Sequence, residues 1–226
     1  MKGEIIAVGT ELLLGNIVNT NAQYLSQKLA ELGIDVYYHL VVGDNLSRVV
    51  DTVKNSLERS DLIITSGGLG PTNDDLTKEA VSKALGLELL PNNEAINRIK
   101  SYFESSGRKM PECNLKQGYV PEGGRIIEND NGTAPGIIIE KGGKTVIMLP
   151  GPPKELKPMF DKSVIPYLEK RTSSTIKSKI LRVIGIGESA VEELLKNIFN
   201  EQSNPTIAPY AKDGEVHLRI TAKTEE

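Results

Sequence analysis

Three short apolar runs rich in Ile and Val, at residues 4–8, 34–42 and 61–66, alternate with two stretches of helical periodicity. In the first stretch Ala22, Leu25, Leu29 and Leu32 recur at helical spacing; Asn19 or Thr20 can cap it and Gly33 supplies a stop. In the second, Val49, Val50, Val53 and Leu57 share one face after Asn45. Strand, helix, strand, helix, strand at this spacing specifies a parallel sheet with right-handed crossovers.

The pattern continues with helices over about 75–85, closed by Gly86, and about 93–105, closed by Gly107. Residues 118–136 are loop-rich. "GIIIEKGGKTVIMLPG" reads as a hairpin turning at Lys141-Gly142-Gly143-Lys144. A helix then enters through Pro152-Pro153, with Pro158 and Pro166 expected to bend or break it. The polar stretch "EKRTSSTIKSK" marks a boundary, giving a large domain over 1–171 and a small module over 172–226. The module reads β-α-β-β, with its hairpin at Asp213-Gly214. So small a sheet needs cover, so the module is expected to be incomplete at its C-terminus. The expected fold is α/β: a mixed, mostly parallel sheet with helices on both faces, followed by the small module.

Composition narrows the function. The net charge of −3 gives no global basic footprint, so nucleic acid is not the expected partner. Cys113 is the single cysteine and His39 and His217 are the two histidines, which argues against disulfides, Cys-based zinc and a His-rich metal centre. A metal would be held by oxygen atoms, which favours magnesium or manganese. The N-terminus lacks a signal-peptide core and no segment is long and apolar enough to span a bilayer, so the chain reads as cytoplasmic. His39 reads as a core or sheet-face residue and Tyr210 as packing. Cys113 has no basic neighbour before Lys116 to make it reactive.

Four loops carry the chemistry. Ligands of parallel α/β sheets bind beyond the carboxyl ends of the strands. There "SGGLGPTNDDLT" places Gly67, Gly68, Leu69, Gly70, Pro71 and Thr72 before Asp74 and Asp75. Glycine N–H groups and a helix N-terminus make an anion site. The aspartates either cap the helix or hold a magnesium ion between themselves and a phosphate, and one can do each job. "GTELLLG" offers Thr10 and Glu11; "NDNGTAPG" offers Asn131, Gly132, Thr133 and Ala134; "LPGPPKEL" offers Gly151, Pro152, Pro153 and Glu155.

In order and spacing these four segments resemble the signatures of the CinA family, the competence-damage-inducible proteins. The resemblance runs from Lys2 to about Lys170. It implies the molybdopterin-binding fold of the MoaB, MogA, MoeA and gephyrin proteins, in which Asp75 matches a cofactor-site aspartate. For the family it implies a metal-dependent ADP-ribose pyrophosphatase, with magnesium, manganese or cobalt as the divalent metal, potassium as a further cation, and a homodimer. The segment from about Thr175 is similar to the family's small KH-type module. Its "GIGES" at Gly185–Ser189 lacks the GXXG spacing that clamps nucleic acid and adds a negative charge, and Lys177, Lys179 and Arg182 read as a solvated strand face. Many members continue into a nicotinamide mononucleotide deamidase domain, absent from this sequence.

The mechanism expected from this resemblance has Gly67–Gly70 cradling phosphate and Asp75 holding a metal with Asp74 or Glu11. Thr72 and Thr133 orient oxygens, and Glu155 contacts a ribose or acts as general base. Two rivals stand beside it: molybdopterin binding or adenylylation on the same loop, and a non-catalytic nucleotide- or DNA-associated regulatory module linked to competence.

Overall fold

The computed structural model describes residues 1–172 and 174–225. The large domain runs β1 (Lys2–Val8), α1 (Thr10–Leu13), α2 (Thr20–Glu31), β2 (Asp35–Val42), α3 (Leu46–Arg59), β3 (Leu62–Ser66), α4 (Thr77–Leu85), β4 (Leu89–Pro91) and α5 (Asn93–Ser105). A 3-10 segment, Glu112–Gly118, leads to β5 (Tyr119–Pro121), β6 (Arg125–Ile127), β7 (Gly136–Lys141) and β8 (Lys144–Leu149). α6 (Pro153–Met159), a π turn at Phe160–Val164 and α7 (Ile165–Glu169) close it.

Six strands form one sheet in the order β2-β1-β3-β8-β7-β6. The first four are mutually parallel, and β7 and β6 add an antiparallel flank. Alternate side chains face opposite sides. Ile5, Ile64 and Ile147 pack with Leu25 and Leu29 of α2, Phe160 and Leu168, while Ile6, Ile63 and Val146 pack with Val49 and Val53 of α3 and Val81 of α4. The central strands are thus buried on both faces, as the unbroken apolar runs of β1 and β3 require.

The small module is β9 (Ser174–Ile184), α8 (Glu188–Glu201), β10 (Thr206–Lys212) and β11 (Glu215–Glu225), with antiparallel strand order β10-β11-β9. Val191 of α8 covers Val216 and Leu218.

Two expectations change and one resolves between its alternatives. Pro158 and Pro166 do not break the helix: it continues through the π turn, whose wider ring eases the clash between Pro166 and the preceding turn. β2 is an edge strand, and of the two places expected for His39 the sheet face holds: it is exposed and bonded to Ser26 Oγ (2.6 Å). Tyr210 is 48% exposed rather than packed. Lys177, Lys179 and Arg182 stand exposed on β9.

Candidate functional site

The carboxyl ends of β1, β3 and β8 lie side by side, and the loop over 128–135 reaches the same edge because β7 runs antiparallel to β8. All four motif loops therefore line one cleft of about 820 Å³, a volume typical of small-molecule sites. Every residue singled out from the motifs lines it except Thr10, whose N–H and hydroxyl both donate to Asp44 Oδ2 (2.8 Å each).

The glycine loop is built first by the fold. Gly67 and Gly68 have φ of +104° and +67°. A Cβ at Gly67 would lie 2.2 Å from the Val8 carbonyl oxygen, and one at Gly68 would lie 2.2 Å from Thr77 Oγ1. Neither position admits a side chain, whatever binds. The Gly67 N–H donates to the Leu149 carbonyl (3.0 Å), so it cannot also hold a phosphate. The N–H groups of Gly68, Leu69 and Gly70 have no partner among the described residues.

Asp75 Oδ2 accepts from the Thr72 N–H (2.9 Å) and hydroxyl (2.6 Å). α4 begins only at Thr77, and its N-cap, Leu76, makes no side-chain bond. The expectation that Asp74 or Asp75 caps this helix is therefore overturned: Asp75 turns back on its own loop, and Asp74 makes no hydrogen bond among the described residues. Thr77 instead ties the helix to the loop, its hydroxyl donating to the Gly67 carbonyl (2.8 Å).

Residues outside the motifs hold the loop in place. Lys116 Nζ donates to the carbonyls of Thr72 (3.0 Å) and Asp75 and lies 3.4 Å from Glu79. Gln117 Nε2 reaches the Leu69 carbonyl (3.4 Å). Lys78, 2% exposed, anchors the 3-10 segment through the carbonyls of Lys116 (2.6 Å) and Tyr119 (3.0 Å). Burial pushes its pKa down to about 8, against the partial support of Glu79. Asn21, on α2, donates to Ser66 Oγ (2.8 Å) and the Gly151 carbonyl (2.7 Å), linking the ends of β3 and β8.

Across the cleft Glu155 Oε2 accepts from Asn129 Nδ2 (2.8 Å), which also bonds the Ala134 carbonyl (2.9 Å). Gly132 leaves room for this carboxylate: a Cβ there would stand 2.3 Å from Oε2. The cleft is lined by the carboxylates of Glu11, Asp44, Asp74, Asp75 and Glu155. Facing an anionic ligand, its cations are Arg108 and Lys154, whose side chains have no partner among the described residues. Nothing in the motifs signalled Arg108 or Asn21, and Asn129, the first residue of "NDNGTAPG", read there only as part of a turn. Arg108 sits just past the Gly107 helix stop, where a basic residue reads as a solvated helix end.

Among the described residues no group of three or more His, Cys, Asp or Glu side chains could hold a metal ion. Glu11, Asp74 and Asp75 therefore do not assemble a protein-only cage. A cation held here would have to take one or two of these carboxylates and draw its remaining oxygens from phosphate and water.

Residues 4–170 match the family model of a probable molybdopterin binding domain, and residues 178–226 match that of the damage-inducible protein CinA KH domain. The chain belongs to the CinA family. A Clostridium beijerinckii relative that carries the competence-damage inducible name is 57% identical over 225 residues, covering 100% of this chain and 55% of its own. A CinA-like protein of Dictyoglomus turgidum is 56% identical over 225 residues with the same coverage. The chain thus spans about half the length of the curated relatives it matches. A crystal structure of the protein CinA from Thermoplasma acidophilum, described as of unknown function, matches at TM-score 0.69 and 39% identity, over 73% of this chain and 99% of that one. A MogA structure matches at TM-score 0.51 and 19% identity, over 76% and 99%, a likeness of fold alone. No helix among the described residues is long and apolar enough to cross a membrane.

Proposed function

We propose that this chain hydrolyses the pyrophosphate bond of ADP-ribose or a related nucleoside diphosphate sugar, giving AMP and ribose 5-phosphate. The observation that carries the reading is the row of three consecutive N–H groups, Gly68, Leu69 and Gly70, without a partner among the described residues, on a cleft large enough for a whole nucleotide.

These N–H groups bind a phosphate oxygen, and Arg108 and Lys154 offset charge on the pyrophosphate. Thr72 acts through Asp75, whose carboxylate it orients; Thr133 orients a phosphate or ribose oxygen. A divalent cation held by Asp75, with Asp74 or Glu11, would neutralise the pyrophosphate and acidify a water. Glu155, steadied by Asn129, takes the proton of the attacking water. The new O–P bond forms at one phosphorus, the bridging P–O bond breaks, and the second phosphate leaves with the bonding pair.

The test is incubation with ADP-ribose, NAD and other nucleotides plus magnesium, manganese or cobalt, followed by product separation. Equal amounts of AMP and ribose 5-phosphate are expected; intact ADP-ribose under every metal overturns the reading. The match of residues 4–170 favours a second reading, molybdopterin binding or adenylylation at the same loop. Adenylylated pterin formed from ATP, with ADP-ribose left intact, would select it.

A further inference from the structure

A second groove of about 430 Å³ opens beside the cleft and shares Tyr102, Gly132 and Thr133 with it. We propose that it is the ring subsite of the same ligand: a nucleotide whose phosphates lie at Gly68–Leu69–Gly70 places its heteroaromatic base here. The inference rests on the reading that the cleft binds a nucleotide, and it adds which half of the molecule is recognised where.

The walls set the chemistry. Ala95 and Ile99 of α5 line the groove together with Ile126 and Pro135, and Tyr102 is shared with the cleft. The Tyr102 ring meets Phe103 edge-on, with centroids 6.0 Å apart at 82°. An aromatic ring between apolar walls stacks a flat base and gives a charged group nothing. The rim confirms the sign. Arg98 pairs with Glu128 and Asp130 (2.7 Å each), and Lys162 pairs with Asp130 (2.9 Å). Among the described residues, Arg98 is the one cation lining the groove and is thus already committed, while Glu94 has no partner. A second phosphate would meet a carboxylate and no available cation. A neutral ring bearing N–H groups meets an acceptor. Ser101 and Thr133 add hydroxyls without a described partner. The Arg98 pairs hold the loop carrying Gly132 and Thr133 against α5, and Lys162 ties it to the π turn, so the groove keeps its width without ligand.

The experiment compares ADP with inorganic pyrophosphate by calorimetry on the full chain with magnesium, so the readout is binding and not turnover. ADP is expected to bind at least about tenfold more tightly, the increment that stacking one base supplies. Ser101→Trp, an exposed position on α5, fills the groove; it should erase that preference and leave pyrophosphate affinity unchanged. Tyr102→Ala should reduce the preference, and Tyr102→Phe should retain it. If ADP binds no more tightly than pyrophosphate, or if Ser101→Trp leaves the preference intact or weakens both ligands equally, the proposal is wrong. A base preference without any hydrolysis of ADP-ribose would overturn the reaction assigned above and leave this subsite standing.

Discussion

Asp75 and Thr72 form a closed pair: a single carboxylate oxygen of Asp75 takes both the backbone N–H and the hydroxyl of Thr72, three residues upstream. Gly70 leaves the space, since a Cβ there would lie 2.5 Å from that same oxygen. Asp75→Asn keeps an acceptor for Thr72 and removes the charge. Stability is expected to change by less than about 1 kcal/mol. ADP-ribose hydrolysis should fall by roughly two orders of magnitude, about 2.7 kcal/mol of transition-state stabilisation. Asp74→Asn, at a side chain that makes no hydrogen bond among the described residues, should cost less. Turnover and melting measured on both variants decide it: a lower melting temperature with an unchanged rate would make Asp75 a loop strut only.

The glycines separate fold from ligand. Gly68→Ala forces a Cβ toward Thr77 at positive φ and should lose roughly 2 kcal/mol of stability. Gly151→Ala places its Cβ 3.5 Å from Gly67 Cα, an ordinary contact. Its melting should stay within about 0.5 kcal/mol of the parent, while nucleotide affinity falls because the methyl enters the cleft. Denaturant unfolding beside calorimetry checks both, and unchanged affinity for Gly151→Ala would remove that loop from the binding wall.

Chelation should stop hydrolysis and leave the melting temperature where it was. No three-acid cluster exists among the described residues to tie the fold to a metal, unlike a structural zinc site, whose loss unfolds the domain. Full activity in chelator would exclude the cation from the reaction; a large drop in melting temperature would reveal a structural ion.

Lys78 makes stability depend on pH in an unusual direction. Below about pH 8 it is charged in both folded and unfolded chains, and burying that charge costs stability in full. From about pH 8 towards 10.5 the folded protein sheds the proton while the unfolded chain keeps it, so the folded state gains, by up to about 3 kcal/mol. Unfolding free energies of the parent and Lys78→Met, compared from pH 7 to 10, should shift progressively in favour of the parent. A constant difference would place the Lys78 pKa near its ordinary value.

Much of this architecture is legible before any coordinates. Apolar runs placed β1, β3 and the β7–β8 hairpin, whose turn falls where Lys141 pairs with Lys144. Strand polarity alone then gathers four loops at one edge. What escaped is set by tertiary partners. β2 is as apolar as a central strand, yet it lies at the edge and exposes Tyr37 and Tyr38. β4, β5 and β6 have three residues each, too few for any periodicity. The start of α4 slipped to Thr77 because Asp75 found Thr72, a local bond that competes with capping. No motif reveals that the Gly67 N–H is spent on Leu149, nor that Arg108 returns to the cleft after α5.

Asn21 belongs to a helix that offers nothing to the reaction, yet both protons of its amide are committed, one to Ser66 and one to Gly151. The glycine loop and the loop that opens α6 are therefore geared together through a third element. Lengthening either by one residue would break a bond on which the other's position depends. Transplanting a single loop onto a sister scaffold would carry over half a cleft, and an engineer who wishes to change what this edge accepts must move both loops and Asn21 as one part.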